Sequence, residues 1–142
     1  MKTLVLDLDE TLVHSSFKKV RNADIKQPID IDGFIQTIYV NIRPYTEEFI
    51  KTASKFFEVV MFTASIQKYA QPIFNKLDRE KRTSAMLFRD HCCVDPQTGF
   101  MVKDLSKLGR RLEDVIIIDN SPNSYYYQPE NSLPSKTWIK DP

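Results

Sequence analysis

Three short runs are apolar and rich in β-branched residues: TLVLDL at 3–8, FEVVMFT at 57–63 and DVIIIDN at 114–120. Near-continuous hydrophobicity, in place of strict alternation, marks strands buried on both faces, which is the condition of a parallel sheet. Each run also closes on polar groups: Asp7 and Asp9, then Thr63, then Asp119 and Asn120.

The segments between these runs have helical period. In RPYTEEFIKTASKFF, residues Phe49, Ile50, Ala53, Phe56 and Phe57 predict an amphipathic crossover helix. After Thr63, Ser65 is placed to cap a second helix whose stripe is Ile66, Tyr69, Ile73, Phe74 and Leu77, with a kink or restart at Pro72. Leu105, Leu108 and Leu112 suggest a short third helix, and DNSPNSYYY sets Ser121 as a cap with Pro122 at a first helical position. Strands alternating with helices predict an α/β fold. Two β-hairpin insertions interrupt it. One lies near 25–42 around Asp32-Gly33; the other lies near 85–102, where Asp95, Pro96 and Gly99 supply turn chemistry. SLPSKTWIKDP predicts no further strong element.

One domain is expected over residues 1–142, and 20 Lys and Arg against 19 Asp and Glu leave no field to attract nucleic acid or anionic lipid. No apolar stretch reaches the roughly 20 residues needed to span a bilayer, and no leader or membrane anchor pattern is visible, so a soluble intracellular protein is expected. Cys92 and Cys93 are adjacent, which fits a reducing compartment, and His91 beside them lacks zinc-site spacing. Neither cysteine has the arginine that a tyrosine-phosphatase loop requires: Thr98 and Gly99 stand at that distance. Both read as packing residues. His14 reads as structural, and Arg110 and Arg111 as a solvated face.

Open parallel sheets bind ligands beyond the carboxyl ends of their strands. Carboxylate, amide and backbone carbonyl oxygens gathered there suit a hard octahedral cation and point to Mg²⁺. An EF-hand calcium loop fails on spacing, since Leu12 occupies its glycine position and Lys18 its terminal glutamate.

The strings DLDETLVHS, FTAS, VKDL and DNSP, in this order, resemble the four signatures of haloacid-dehalogenase-type phosphatases with a D-x-D-x-T motif. Within that class the likeness is to the small, NLI-interacting-factor-like phosphatases of the RNA polymerase II C-terminal domain, and it runs from Thr3 to Trp138. The resemblance implies a Rossmann-like α/β core and a Mg²⁺-dependent protein serine phosphatase working through an aspartyl-phosphate. Asp7 would be the nucleophile and a metal ligand, with Asp9 binding the metal through its carbonyl and Asn120 completing the set. Asp119 would orient metal-bound water, Thr63 and Lys103 would hold the phosphoryl oxygens, and Thr11 would orient the Asp9 loop. Phe17, Ile29, Ile31, Ile38, Ile66 and Tyr69 would form an apolar pocket for a proline near the phosphoserine, with Arg89 contacting the peptide.

A carboxylate is already ionised at neutral pH and needs no base to attack, while a fixed cation and lysine offset its repulsion from phosphate. Asp9 can then protonate the leaving oxygen and later deprotonate water.

The resemblance further implies a phosphorylated protein substrate, nuclear location and a monomer. Part of the family's helical cover beyond Trp138 is expected to be missing. Two other readings stand beside this one: a phosphatase like the nuclear-envelope branch that acts on lipid-synthesis regulators, and a non-catalytic phosphatase-like binding protein. The second is expected to lose one or both motif aspartates, and this sequence keeps both.

Overall fold

A computed structural model describes residues 1–140. The strands are β1 (Lys2–Leu6), β2 (Val13–Ser16), β3 (Ile25–Ile31), β4 (Phe34–Ile42), β5 (Phe57–Phe62), β6 (Ala85–Leu87), β7 (Cys93–Val94), β8 (Met101–Val102), β9 (Val115–Asp119) and β10 (Ser132–Pro134). Two α-helices, α1 (Thr46–Ala53) and α2 (Gln67–Leu77), join them. The main sheet has the order β10-β9-β1-β5-β6, and every pairing in it is parallel. The three apolar runs thus become its three central strands.

Side chains alternate across the strands, and the sheet separates two cores. Leu4, Leu6, Val59 and Met61 pack with Ile50 of α1 and Ala70, Ile73, Phe74 and Leu77 of α2. Val5, Val60, Phe62, Val115 and Ile117 face the other way, against Leu105 and Tyr125.

The first hairpin forms as expected. Asp32 and Gly33 both have positive φ, 52° and 87°, the requirement of a two-residue type I′ turn, and Asp30 Oδ1 accepts from the Gly33 amide at 2.9 Å. β2 pairs with β4 to complete a three-stranded antiparallel sheet, which packs onto α2.

Several expected elements differ. Helix α1 ends at Ala53, and its buried stripe is Thr46, Ile50 and Ala53; Phe49 and Phe56 are exposed, and Phe57 pairs with Lys2 in the sheet. Helix α2 continues through Pro72, because losing one internal hydrogen bond is tolerated where the flanking Ile73 and Phe74 are buried. The expected third helix is two 3₁₀ turns, Leu105–Leu108 and Leu112–Asp114, divided by Gly109 at φ 76°. The second hairpin is only β7 and β8. Residues 85–87 instead extend the main sheet beside β5, where Met86 and Leu87 gain cover on an edge. Ser121 caps nothing with its side chain, although Pro122 does open a 3₁₀ turn. The C-terminal stretch adds β10 alongside β9, and the Trp138 amide donates to the Glu10 carbonyl at 2.7 Å. Arg110 is exposed, as expected of a solvated face, and there its Nε and Nη2 both donate to Glu58 at 2.8 and 2.6 Å.

Ile29 and Ile38, expected in a substrate pocket, lie in the core beneath the hairpin at 4% and 5% exposure. Ile38→Ala is therefore expected to cost about 2–5 kcal/mol of stability. A phosphopeptide and a small aryl phosphate should then be turned over with equal losses, measured alongside a thermal melt.

Candidate active site

The polar residues converge at the carboxyl ends of β1, β5 and β9, with Lys103 directly after β8. Asp7 continues β1, and its amide still donates to the Ile118 carbonyl at 3.0 Å. The chain then turns tightly, with the amides of Leu12 and Val13 both donating to the Leu8 carbonyl and Glu10 in the left-handed region at φ 60°. This turn swings Thr11 back so that its hydroxyl donates to Asp7 Oδ2 at 2.9 Å.

Lys103 is 1% exposed, and its ammonium donates to Asp7 Oδ1 and to Asp119 Oδ2, both at 2.7 Å. The Phe62 ring lies beneath it, 5.8 Å from Nζ. Burial pushes the Asp7 carboxyl up to about 6, against the pull of Lys103 and with help from the like charge of Asp119. For Lys103 burial works the other way, but the two carboxylates outweigh it and hold its pKa above the ordinary lysine value. The three buried groups carry one net negative charge.

Thr63 is fully buried after β5. Its hydroxyl donates to Asp9 Oδ2 at 3.1 Å and accepts from the Ser65 amide at 3.0 Å. Asp119 Oδ1 accepts from the Ser121 amide at 2.9 Å, which fixes the turn that presents Asn120. Asp7, Thr11, Lys103, Asp119 and Asn120 thus form one hydrogen-bonded group, and Asp9 with Thr63 forms a second, which meets the first where the Asp9 carbonyl lies 3.2 Å from the Asn120 side-chain amide.

The expected substrate pocket is less uniform. Phe17 is 54% exposed, Ile31, Ile66 and Tyr69 are half-buried, and Ile29 and Ile38 are enclosed. Arg89 is exposed, but its Nε donates to the Ala64 carbonyl at 2.7 Å. Ser65 was missed as a site residue. Its place before α2 suggested a cap, yet its hydroxyl donates to Asp9 Oδ2 at 2.8 Å and the helix start has no side-chain cap. The only sequence signal for it was its position within FTAS. His14, which showed no partner in sequence, lies with Nδ1 3.2 Å from Glu10 Oε2.

A parallel sheet with carboxylates beyond β1 and β9, a threonine beyond β5 and a buried lysine between them is a haloacid-dehalogenase core. The fold superposes on the solved structure of Fcp1, described as an essential RNA polymerase II CTD phosphatase, with a TM-score of 0.78 at 19% identity, covering 96% of this chain and 42% of that one. The sequence profile of the family described as NLI interacting factor-like phosphatase matches residues 2–142, and the chain belongs to that family. It is 51% identical over 140 residues to the human CTD small phosphatase-like protein, covering 99% of this chain and 50% of that protein. It is 50% identical over 138 residues to the human carboxy-terminal domain RNA polymerase II polypeptide A small phosphatase 2, covering 97% and 50%. The chain spans about half the length of these relatives.

Phosphatases of the haloacid-dehalogenase type generally use Mg²⁺, and the donor geometry can be tested against that ion. Among the described residues no three His, Cys, Asp or Glu side chains gather as a metal site. A different set does converge: Asn120 Oδ1 lies 2.9 Å from Asp7 Oδ2 and 3.2 Å from the Asp9 carbonyl oxygen. Three acceptors face one another with only the Thr11 hydroxyl as a donor among them. Without a cation the Asn120 amide would do better reversed, donating to both oxygens. Adjacent oxygens of a Mg²⁺ octahedron, with bonds of about 2.0–2.1 Å, are about 2.9 Å apart. One carboxylate, one amide and one carbonyl also suit an ion that keeps several waters. The residues fit the ion.

Proposed function

We propose that the chain is a Mg²⁺-dependent phosphatase that removes phosphate from serine in proteins through an aspartyl-phosphate on Asp7. The observation that carries this reading is the division of labour between the two Asp7 oxygens. Oδ2 belongs to the cluster with Asn120 and the Asp9 carbonyl, while Oδ1 is held by Lys103. Asp7 Oδ2, the Asp9 carbonyl and Asn120 would hold Mg²⁺, with Asp119 orienting its waters. When bound, the ion offsets the repulsion between the phosphoryl group and Asp7.

Asp7 Oδ1 then attacks phosphorus in line, the bond from phosphorus to the serine oxygen breaks, and Asp9 gives its proton to the departing oxygen. Lys103 and Thr63 steady the equatorial oxygens. In the second half, Asp9 takes a proton from a water that attacks phosphorus, releasing inorganic phosphate and restoring Asp7. Thr11 holds Asp7 in line and shapes the turn that carries Asp9. Both motif aspartates are present and held by side-chain partners, Asp7 by Lys103 and Thr11 and Asp9 by Thr63 and Ser65, which supports a catalytic reading over a purely binding role.

The likeness to the small phosphatases of the RNA polymerase II C-terminal domain supports a phosphoserine protein substrate, as does the apolar surface beside the cluster. Phe17, Ile31, Ile66 and Tyr69 offer partly exposed apolar area on which a proline next to phosphoserine can rest, as in the RNA polymerase II C-terminal domain, with Arg89 at the rim. Such a substrate places the protein in the nucleus. Among the described residues no helix is long and apolar enough to cross a membrane.

The test is to mix the protein with Mg²⁺ and a Ser-Pro phosphopeptide, quench in acid and map the phosphoenzyme by mass spectrometry. Phosphate on the Asp7 peptide is expected, lost with chelator and blocked by beryllium fluoride. Full turnover in chelator, or phosphate on another residue, would overturn the reading.

A further inference from the structure

We propose that Ser65 is a positioning residue for Asp9, one that keeps this carboxylate in place when Thr63 turns to the phosphoryl group. The inference rests on the acid–base role given to Asp9 above. Asp9 Oδ2 receives two hydroxyl groups, Ser65 Oγ at 2.8 Å and Thr63 Oγ1 at 3.1 Å. A hydroxyl has one hydrogen to donate. Once Thr63 gives its hydrogen to a phosphoryl oxygen it can no longer give it to Asp9, and Ser65 is the remaining donor.

The backbone around Ser65 is built to hold it there. The Ser65 amide donates to Thr63 Oγ1 at 3.0 Å, and this bond persists whichever acceptor the Thr63 hydrogen chooses. The Ser65 carbonyl accepts from the Arg89 amide at 3.0 Å, and the preceding Ala64 carbonyl accepts from Arg89 Nε at 2.7 Å. Arg89 therefore holds both carbonyls of the 64–65 loop, and helix α2 begins two residues later. Serine is among the best residues for capping that helix, yet its hydroxyl is turned to the site. Pinned at one oxygen, Asp9 keeps the other free to meet the leaving group.

The experiment compares burst rates of the native protein, Asp9→Asn, Ser65→Ala, Ser65→Thr and the double variant on a phosphoserine peptide and on nitrophenyl phosphate. Serine leaves as a strongly basic alkoxide and needs a proton, whereas nitrophenolate needs little help. Ser65→Ala is expected to slow the phosphoserine burst about 10–100-fold and the nitrophenyl burst by no more than about twofold, with KM unchanged. Ser65→Thr, which retains the donor, should restore the rate. Adding Ser65→Ala to Asp9→Asn should cost nothing further, because a residue acting only through Asp9 has no effect once Asp9 is disabled.

Equal slowing on both substrates, no slowing on either, or an additive loss in the double variant would overturn the proposal. Failure of the underlying reading shows separately: Asp9→Asn alone would then slow both substrates equally.

Discussion

Asp7→Asn is expected to abolish turnover, by about a million-fold if loss of a covalent nucleophile here matches its scale elsewhere, while making the metal-free protein more resistant to heat at neutral pH. An amide cannot form the acyl phosphate. The gain in stability follows from the charge count. Two carboxylates share one buried ammonium, and Asn in place of Asp7 leaves Lys103 and Asp119 as a neutral pair. The folded-state pKa of Asp7, about 6, lies above its ordinary 3.8, so its contribution is complete below about pH 4 and is lost as pH rises through 6. The difference in Tm between variant and native protein should therefore be largest above pH 7 and shrink toward pH 4. Mg²⁺ should raise the Tm of the native protein more than that of the variant, because it binds the folded state through a carboxylate the variant lacks. A folded variant that hydrolyses phosphopeptide at near-native rates would remove Asp7 from its role.

Lys103→Met should be the most destabilising single change at the site. It fills similar volume but strands Asp7 and Asp119, 5% and 1% exposed, without their shared cation. Breaking a buried ion pair by removing one partner costs about 3–5 kcal/mol, which in a chain of this size lowers Tm by on the order of 10 °C. The loss should be smaller in acid, where the stranded carboxylates take up protons. Adding Asp119→Asn should return part of the stability by removing one of the two uncompensated charges, without returning activity. A Lys103→Met protein that melts with the native one at pH 7.5 would show that the ammonium contributes nothing to the fold.

The ends of the three central strands were legible in sequence because unbroken apolar runs can hardly be anything but buried strands, and the residues that close them must lie at one rim. Lys103 was harder to place. It follows a two-residue strand and looks like any surface lysine except for its place in the order of motifs. Ser65 was misread because the same small hydroxyl side chain suits a helix cap and a carboxylate anchor, and only the spatial position of Asp9 decides between them. Ile29 and Ile38 were placed in an apolar pocket by the family resemblance, and the strand pattern could not test it, because an isoleucine facing inward and one facing a cleft have the same pattern along a strand. The packing of the hairpin on α2, which no local pattern encodes, enclosed them. Strand β10 was missed because three residues ending in proline carry no signal of their own; it forms only because β9 offers a free edge.

The order β9-β1-β5 at the centre of the sheet also governs when the protein can become active as it folds. The hairpin of β3 and β4 closes between neighbours in sequence and can form within microseconds. Asp7, Thr63 and Asn120 stand just beyond the ends of three strands that are distant in sequence, and parallel pairing of such strands is slow because long loops must close before any contact repays them. A chain that has docked β5 against β1 but not β9 already holds Asp7, Asp9 and Thr63, yet it has neither Asp119 nor Asn120 in position. On the proposed mechanism it would carry the attacking carboxylate without a complete cation site. If the proposed mechanism holds, capacity for chemistry arrives only with the pairing of β9, and a partly folded chain, however compact, should be silent toward phosphoproteins.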